Sequence, residues 1–214
     1  MNYKQLPEDS TKKPNTMKKW LIPVIVIGLI IFAVFKWGIG INNEIIEKEG
    51  LAKAQWANVE SSYQRRSDLI PNLVSTVKGY ANHERETLEA VIKARAEATK
   101  PTINIDQSAL TPENMAKFQQ AQQGLSGALS RLLVSVERYP ELKADRSFLE
   151  LQSQLESTEN RINVERNRFN DLAGAYNIFI AKFPTSFVAN YINKGALSLF
   201  KSAPGSENAP KVEF

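Results

Sequence analysis

The longest regular pattern in the chain lies between Phe148 and Phe183, which reads FLELQSQLESTENRINVERNRFNDLAGAYNIFIAKF. Large apolar side chains recur in it every seven residues, at Phe148, Leu155, Ile162, Phe169, Tyr176 and Phe183. Seven residues are two helical turns, so the pattern predicts a long amphipathic helix with a narrow apolar face. Asp145 is its predicted N-cap residue, and Pro184 is expected to end it.

The same interval occurs in two earlier segments of the chain. The first contains Trp56, Tyr63, Ile70 and Val77, and the middle one contains Phe118, Leu125, Leu132 and Tyr139. Thr111 followed by Pro112 predicts the start of the middle helix, and Pro140 its end. Residues 83–99 continue the helical pattern, and residues 100–112 read as a loop. No stretch shows sustained period-two alternation, so the predicted fold is all-α, an antiparallel bundle of three to four long helices.

An apolar segment precedes the bundle. Sixteen residues from Trp20 to Phe35 contain no charged side chain, and the apolar character continues to Ile41. As a helix, residues 20–41 would rise about 33 Å, enough for a hydrocarbon core of roughly 30 Å. The run is too long for a signal peptide, and no small-residue cleavage site follows it, so it is predicted to be an uncleaved transmembrane helix.

The distribution of charge predicts the topology. The chain has 214 residues and a net charge of +4, all of it in residues 1–41, because residues 42–214 contain 21 basic and 21 acidic side chains. The folded part therefore gives no electrostatic reason to bind nucleic acid. Five lysines precede the span, at Lys4, Lys12, Lys13, Lys18 and Lys19. They predict a cytoplasmic N-terminus and a bundle on the opposite, extracytoplasmic side.

Four regions follow from these observations. Residues 1–19 are expected to be a short polar cytoplasmic tail, 20–41 the transmembrane helix, and 42–184 the bundle. Residues 185–214 form an apolar segment and a polar tail. In that segment Phe187, Val188, Tyr191 and Ile192 share one helical face, and Leu197, Leu199 and Phe200 follow. The stretch Thr185–Phe200 is expected to fold back on the end of the bundle or, alternatively, to touch the membrane surface or a partner.

Residues for catalysis or metal binding are scarce. The chain has no cysteine and one histidine, His83. The pair His83-Glu84 begins a zinc-protease motif, but Thr87 stands where the second histidine belongs, and no phosphate-binding glycine loop is present. We therefore predict a non-enzyme with no catalytic residue, no metal and no cofactor.

Charged residues on the apolar helix faces are the candidate functional residues. Arg66 and Glu165 occupy positions that should be partly buried, and a buried charge must be paired. Arg66 is expected to pair with Glu165 or Glu159. Pro71 should also free a backbone carbonyl near Ser67 for a side-chain donor. The cluster is interpreted as a salt-bridge layer that fixes helix register or, alternatively, as a docking site. It comprises Arg65, Arg66, Asp68, Asn72, Glu159, Arg161, Glu165, Arg166, Asn170 and Asn177.

Several longer strings resemble the LemA family. They are RRSDLIPNLVSTVKGYANHE at Arg65–Glu84, YPELKADRSFLELQSQLESTENRI at Tyr139–Ile162, RNRFNDLAGAYNIFIAKFP at Arg166–Pro184, and PKVEF at Pro210–Phe214. A mild departure is Phe169, where the family more often has tyrosine. The resemblance implies a membrane-anchored helical bundle in the bacterial envelope, with no established activity.

Two functions are compatible with these features. The first is a non-catalytic structural or adaptor module in the cytoplasmic membrane. Its partners would be the lipid bilayer, envelope proteins or further copies of the chain, but not nucleic acid. The alternative is a regulatory or sensory accessory subunit of a membrane protease or of a secretion or signalling system. A tail of nineteen residues is too short for a cytoplasmic effector domain, which favours the adaptor.

Overall fold

The computed structural model describes residues 16–80, 84–100 and 110–201, with side chains from Trp20 onward. These ranges contain six helices and no strand, so the all-α prediction is confirmed. The helices are α1 (Thr16–Tyr80), α2 (Arg85–Ala98), α3 (Pro112–Val136), α4 (Pro140–Lys143), α5 (Arg146–Ala181) and α6 (Thr185–Tyr191).

The chain divides into two compact units, Met1–Asn43 and Glu44–Phe214. In the first unit, the large apolar side chains from Trp20 to Ile39 are exposed. This part of α1 is long and apolar enough to cross a membrane, and it fits a membrane anchor. No helix end occurs at Ile41, because α1 continues to Tyr80. The position at which the span ends therefore remains a prediction.

The second unit is a bundle whose long helices run antiparallel. Gln55 of α1 contacts Glu165 of α5, and Tyr80 at the end of α1 contacts Asp145 at the start of α5. Residue numbers therefore increase along α1 in the direction in which they decrease along α5, so the two helices are antiparallel. On α2 and α3, the carbonyl of Ala98 accepts from Gln122, and Glu84 accepts from Arg138. The four long helices thus form two antiparallel pairs, as predicted.

The core consists mainly of the residues with seven-residue spacing. All four in the first segment are buried, as are Phe118, Leu125 and Leu132 in the middle one and the first five of the last. The rings of Trp56, Tyr63, Phe118, Phe169 and Phe200 form an aromatic cluster, with centroid distances between 5.0 and 6.4 Å. Tyr139 is half-buried. Phe183 is the one exposed member: α5 ends at Ala181, so Phe183 leaves the helical face and is 80% exposed.

Two predicted helix starts are confirmed by their caps. The Thr111 hydroxyl accepts a hydrogen bond from the Asn114 amide at 3.2 Å, and the Asp145 carboxylate accepts one from the Phe148 amide at 2.9 Å. The predicted end of the middle helix is three residues too late, because α3 stops at Val136 and Pro140 begins the short α4. His83 and residues 101–109 of the predicted loop lie outside the described residues.

The C-terminal segment folds back on the bundle, but two aromatic residues of its expected helical face point away from it, whereas Val188 and Ile192 of that face are half-buried. Helix α6 directs its small residues Thr185 and Ala189 inward, whereas Phe187 and Tyr191 are 70% and 89% exposed. After α6 the chain turns at Asn193, whose φ of 54° lies in the left-handed region that asparagine tolerates. The Lys194 amide donates to the Ala189 carbonyl at 2.9 Å and closes this turn. Leu197 and Phe200, beyond the turn, are the residues that enter the core.

Candidate functional site

The first part of the site surrounds Arg66, which α1 places on its core-facing side and which is 2% exposed. Its Nη1 donates to Glu159 Oε2 at 2.7 Å and to Ser126 Oγ at 2.9 Å. Its Nη2 donates to Gln122 Oε1 at 2.6 Å. We call Arg66, Gln122, Ser126 and Glu159 the polar layer. One guanidinium therefore connects α1, α3 and α5.

Neighbouring groups extend the polar layer to the fourth helix. Gln122 Nε2 donates to the Ala98 carbonyl of α2 at 3.0 Å, and the Arg66 guanidinium lies 5.2 Å from the centroid of the Tyr63 ring. Glu159 is only half-buried, with 46% of its side chain exposed. Water therefore still solvates the carboxylate, which lowers the desolvation cost of the ion pair.

Pro71 is accommodated within α1 without ending the helix. Proline lacks the N–H that would bond to the carbonyl four residues earlier, which is that of Ser67. Arg95 of α2 supplies the missing donor, because its Nε lies 2.9 Å from the Ser67 carbonyl oxygen. The proline thus creates an acceptor that fixes α2 against α1, one residue beyond the polar layer.

Glu165 is buried at a different level of the bundle. Its Oε2 accepts from Gln55 Nε2 at 2.7 Å, and its own carbonyl accepts from the same nitrogen at 3.2 Å. The guanidinium groups of Arg161 and Arg168 are exposed and lie 3.8 and 3.7 Å from its oxygens. Of the two partners considered for Arg66, the structure shows Glu159. Six residues of helix, about 9 Å, separate it from Glu165.

Three of the candidate residues on α1 face solvent. Arg65, Asp68 and Asn72 are exposed on the outer side of α1. At about 100° of rotation per residue, these three positions fall on the side of α1 opposite the buried Arg66, Ser67 and Ile70. Asp68 accepts from Gln64 Nε2 at 2.8 Å, an ordinary bond on a helix surface.

Asn170 and Asn177 hold a second structure, the extended residues 194–201, which we call the strap. Asn170 donates to the Phe200 carbonyl at 3.0 Å and accepts from the Phe200 amide at 2.9 Å. Asn177 makes the same two bonds to Leu197, both at 2.8 Å. Seven residues of helix rise about 10.5 Å, and three residues of extended chain span about 10 Å. Because these two lengths are nearly equal, the side-chain amides of Asn170 and Asn177 can bind Phe200 and Leu197 at the same time.

Arg166 completes the attachment of the strap. Its Nη2 donates to the Lys201 carbonyl at 3.3 Å, and its guanidinium lies 4.7 Å from the centroid of the Phe200 ring. Phe200 is itself buried in the aromatic cluster. Three of the candidate residues, Arg166, Asn170 and Asn177, therefore fix the end of the described chain onto α5.

A buried ion pair near the start of the bundle was missed by the sequence reasoning. Glu49 lies 2.7 Å from Lys194 and 3.0 Å from Lys53. Burial acts to raise the pKa of Glu49, but the two ammonium groups together lower it below its usual value. A signal was available, because Glu49 stands seven residues before Trp56 and extends the first apolar series backward.

Tyr176 lies beside this pair and donates to the Gly195 carbonyl at 3.2 Å. Burial, with the negative charge of Glu49 as a second cause, raises the pKa of Tyr176 to about 12. The phenol is therefore a neutral donor at any physiological pH. Like Asn170 and Asn177, it holds the strap.

The chemistry available in the site is structural. Among residues 16–80, 84–100 and 110–201, no group of three or more His, Cys, Asp or Glu side chains is arranged to hold a metal ion. Gln122, Ser126 and Glu159 all accept hydrogen bonds from the one buried guanidinium. These hydrogen bonds connect three helices, and none of them pairs a nucleophile with a general base.

A helical bundle preceded by an apolar helix that fits a membrane anchor is the class of protein defined by this architecture. The LemA family model matches residues 55–214, a range that includes the polar layer and the strap. The chain belongs to the LemA family.

Relatives support this assignment. A protein named LemA from Metamycoplasma hominis is 23% identical over 206 residues, which cover 94% of this chain and 88% of the relative. Magnetosome protein MamQ from Magnetospirillum gryphiswaldense is 25% identical over 171 residues, 73% of this chain and 63% of the relative. A MamQ protein of Paramagnetospirillum magneticum is also 25% identical, over 170 residues and 62% of its length. The chain thus spans less than two thirds of the MamQ relatives.

Proposed function

We propose that the protein is a non-catalytic adaptor of the bacterial envelope, anchored in the cytoplasmic membrane. In this proposal the outer helix faces bind envelope proteins or further copies of the chain. The observation that carries it is the polar layer. Arg66, which could have bound a ligand, instead donates to Gln122 and Glu159 of the same chain. The outer surface of the bundle is what remains for a partner.

Two outer positions are suited to partner binding. Val134 of α3 is 71% exposed and Val164 of α5 is 47% exposed, although both are branched apolar residues within long helices. A single exposed apolar side chain is common, and it becomes informative only when crosslinking shows that something covers it.

The adaptor is tested by placing the photocrosslinking amino acid benzoylphenylalanine at Val134 or Val164 in living cells. Ser153 and Glu156, exposed polar positions of α5, are the matched controls. We expect discrete adducts, identified by mass spectrometry, from the apolar positions and few from the controls. Adducts of twice the 24.0 kDa chain would indicate self-association. Adducts with a membrane protease or secretion component would favour the accessory-subunit alternative over the adaptor. Equal, diffuse labelling at all four positions would refute a partner on these faces.

The topology belongs to the same proposal. The five lysines before the span support a cytoplasmic N-terminus and a bundle outside the cytoplasmic membrane. Because the chain has no cysteine, S10C in the tail and S153C in α5 would each carry the single thiol. We expect a membrane-impermeant maleimide to label S153C in intact spheroplasts and S10C only after lysis. The reverse pattern would place the bundle in the cytoplasm.

A further inference from the structure

Helix α6 leaves its largest side chains exposed. Its inner side consists of the buried Thr185 and Ala189 and the half-buried Val188, whereas Phe187 and Tyr191 point outward. Phe183 precedes them, 80% exposed, with its ring 5.8 Å from that of Phe187. We call Phe183, Phe187 and Tyr191 the aromatic patch. A soluble helix normally turns its large apolar residues inward, and three neighbouring exposed aromatic side chains are a larger departure from this rule than a single one.

The aromatic patch cannot turn inward, because the chain on its C-terminal side is fixed. The turn at Asn193 closes α6, and Lys194 directly after it is paired with the buried Glu49. Three residues further on, Leu197 is bonded twice to Asn177. Rotation of α6 would break the ion pair and move the strap. The exposure of the patch is therefore built into the packing of this end of the bundle.

The patch lies at the end of the bundle from which the chain continues toward the apolar segment. Lys48 of α1 lies 5.1 Å from the centroid of the Phe179 ring near the end of α5, and Glu49 contacts Lys194 just after α6. Ile41 is the last residue of the predicted span. Seven residues separate it from Lys48 and cover at most about 25 Å even when fully extended. Covalent continuity alone therefore keeps this end of the bundle close to any bilayer that holds the span.

The composition of this region suits a lipid surface. Phenylalanine and tyrosine are favoured at the boundary between headgroups and acyl chains. Residues 172–201 contain no acidic residue, and of their three lysines Lys194 is paired with Glu49, whereas Lys182 is exposed next to Phe183. We propose that the aromatic patch inserts into the headgroup region of the same bilayer that anchors the chain. It would be a second membrane contact, one that fixes the bundle on the membrane surface.

The test uses the full chain in proteoliposomes of phosphatidylethanolamine and phosphatidylglycerol. F187C would carry an environment-sensitive nitrobenzoxadiazole label, and V134C is the matched control. Val134 is equally apolar and 71% exposed, but it lies near the opposite end of α3 from the strap. We expect nitroxide groups on the lipid acyl chains to quench the label at F187C several-fold more than at V134C. This readout does not depend on the orientation of the protein in the vesicle.

Two further measurements complete the test. Adding F183S and Y191S to labelled F187C should lower lipid quenching toward the V134C value, while the circular dichroism melt stays unchanged. Equal quenching of F187C and V134C by lipid nitroxides would overturn the proposal. A blue-shifted F187C label that lipid nitroxides do not quench would also overturn it, because a protein surface would then cover the patch. Neither result bears on the crosslinks at Val134 and Val164, so this proposal and the adaptor fail independently.

Discussion

The polar layer and the aromatic patch both depart from the usual distribution of residues in a water-soluble bundle. In the layer, a charged side chain points inward, and in the patch, aromatic side chains point outward. Arg66 finds its partners on two other helices of the same chain. Phe187 and Tyr191 remain exposed, and the only ring contact described for the patch is between two of its own members. A charged side chain that points inward is thus bonded within the bundle and connects its helices, whereas aromatic side chains that point outward leave a surface open to a partner.

Removing Arg66 should have the largest effect on stability. R66A takes away the donor for Gln122, Ser126 and Glu159 and leaves a cavity among three helices. We expect the free energy of unfolding to fall by about 3 kcal/mol. This value is at the lower end of the range for breaking a buried ion pair, because Glu159 is half-exposed. Chemical denaturation of the full chain in detergent micelles measures it. R65A, one residue away and exposed, is the control and should stay within about 0.5 kcal/mol.

A double-mutant cycle separates the two interpretations of the layer. E159A alone should cost about 1–2 kcal/mol, because Arg66 keeps Gln122 and Ser126 as acceptors. R66A/E159A should be less destabilised than the sum of R66A and E159A, since both charges are removed together. A coupling energy of zero, with R66A as mild as R65A, would contradict the register-fixing role and favour a docking site.

Removing the side-chain amide of one asparagine that binds the strap should have the next largest effect on stability. N177A removes both hydrogen bonds to Leu197, and about 2 kcal/mol is expected from two such bonds. Hydrogen exchange gives the specific signature, because the Leu197 amide should exchange faster while the core of α3 stays protected. N167A, an exposed asparagine of the same helix, should change neither quantity. If both variants behaved alike, the two bonds of Asn177 would not stabilise the strap.

The Glu49–Lys194 pair predicts a smaller, pH-dependent effect. The pKa of Glu49 is lowered in the folded chain, so its stabilisation is present above the unfolded pKa of about 4.5 and is lost as the pH falls through the folded pKa. Denaturation at pH 7 and pH 3 should show about 1 kcal/mol more loss in the wild type than in K194M. K117M, which removes only an exposed pair, should follow the wild-type curve. Identical curves for K194M and the wild type would show that the pair is not stabilising.

The smallest effect on stability is expected from the aromatic patch. The triple variant F183S/F187S/Y191S removes side chains that are mostly exposed, so its free energy of unfolding in micelles should stay within about 0.5 kcal/mol of the wild type. A loss comparable to that of R66A would mean that the patch packs on the bundle. A large loss in R66A together with a small loss in the triple variant would show that the polar layer stabilises the bundle and that the aromatic patch does not.

Much of the fold can be predicted from the sequence because its signals are local. A seven-residue interval identifies the buried face of each helix, and Thr111 and Asp145 identify two helix starts through bonds that span three residues. Burial of Arg66 and Glu165 follows from the same periodicity. These features depend on groups within one or two turns of each other.

The choice of partner could not be predicted in this way. Whether Arg66 meets Glu159 or Glu165 depends on the axial offset of two antiparallel helices, and a shift of six residues exchanges one for the other. The strap has no helical period, and its place is fixed by asparagines of α5 that lie 20 and 30 residues earlier in the chain. The outward direction of Phe187 follows from the packing of Thr185 and Ala189 against the bundle. Periodicity thus specified which side of each helix is buried, whereas tertiary packing specified what each buried or exposed group meets, because those contacts join residues far apart in the chain.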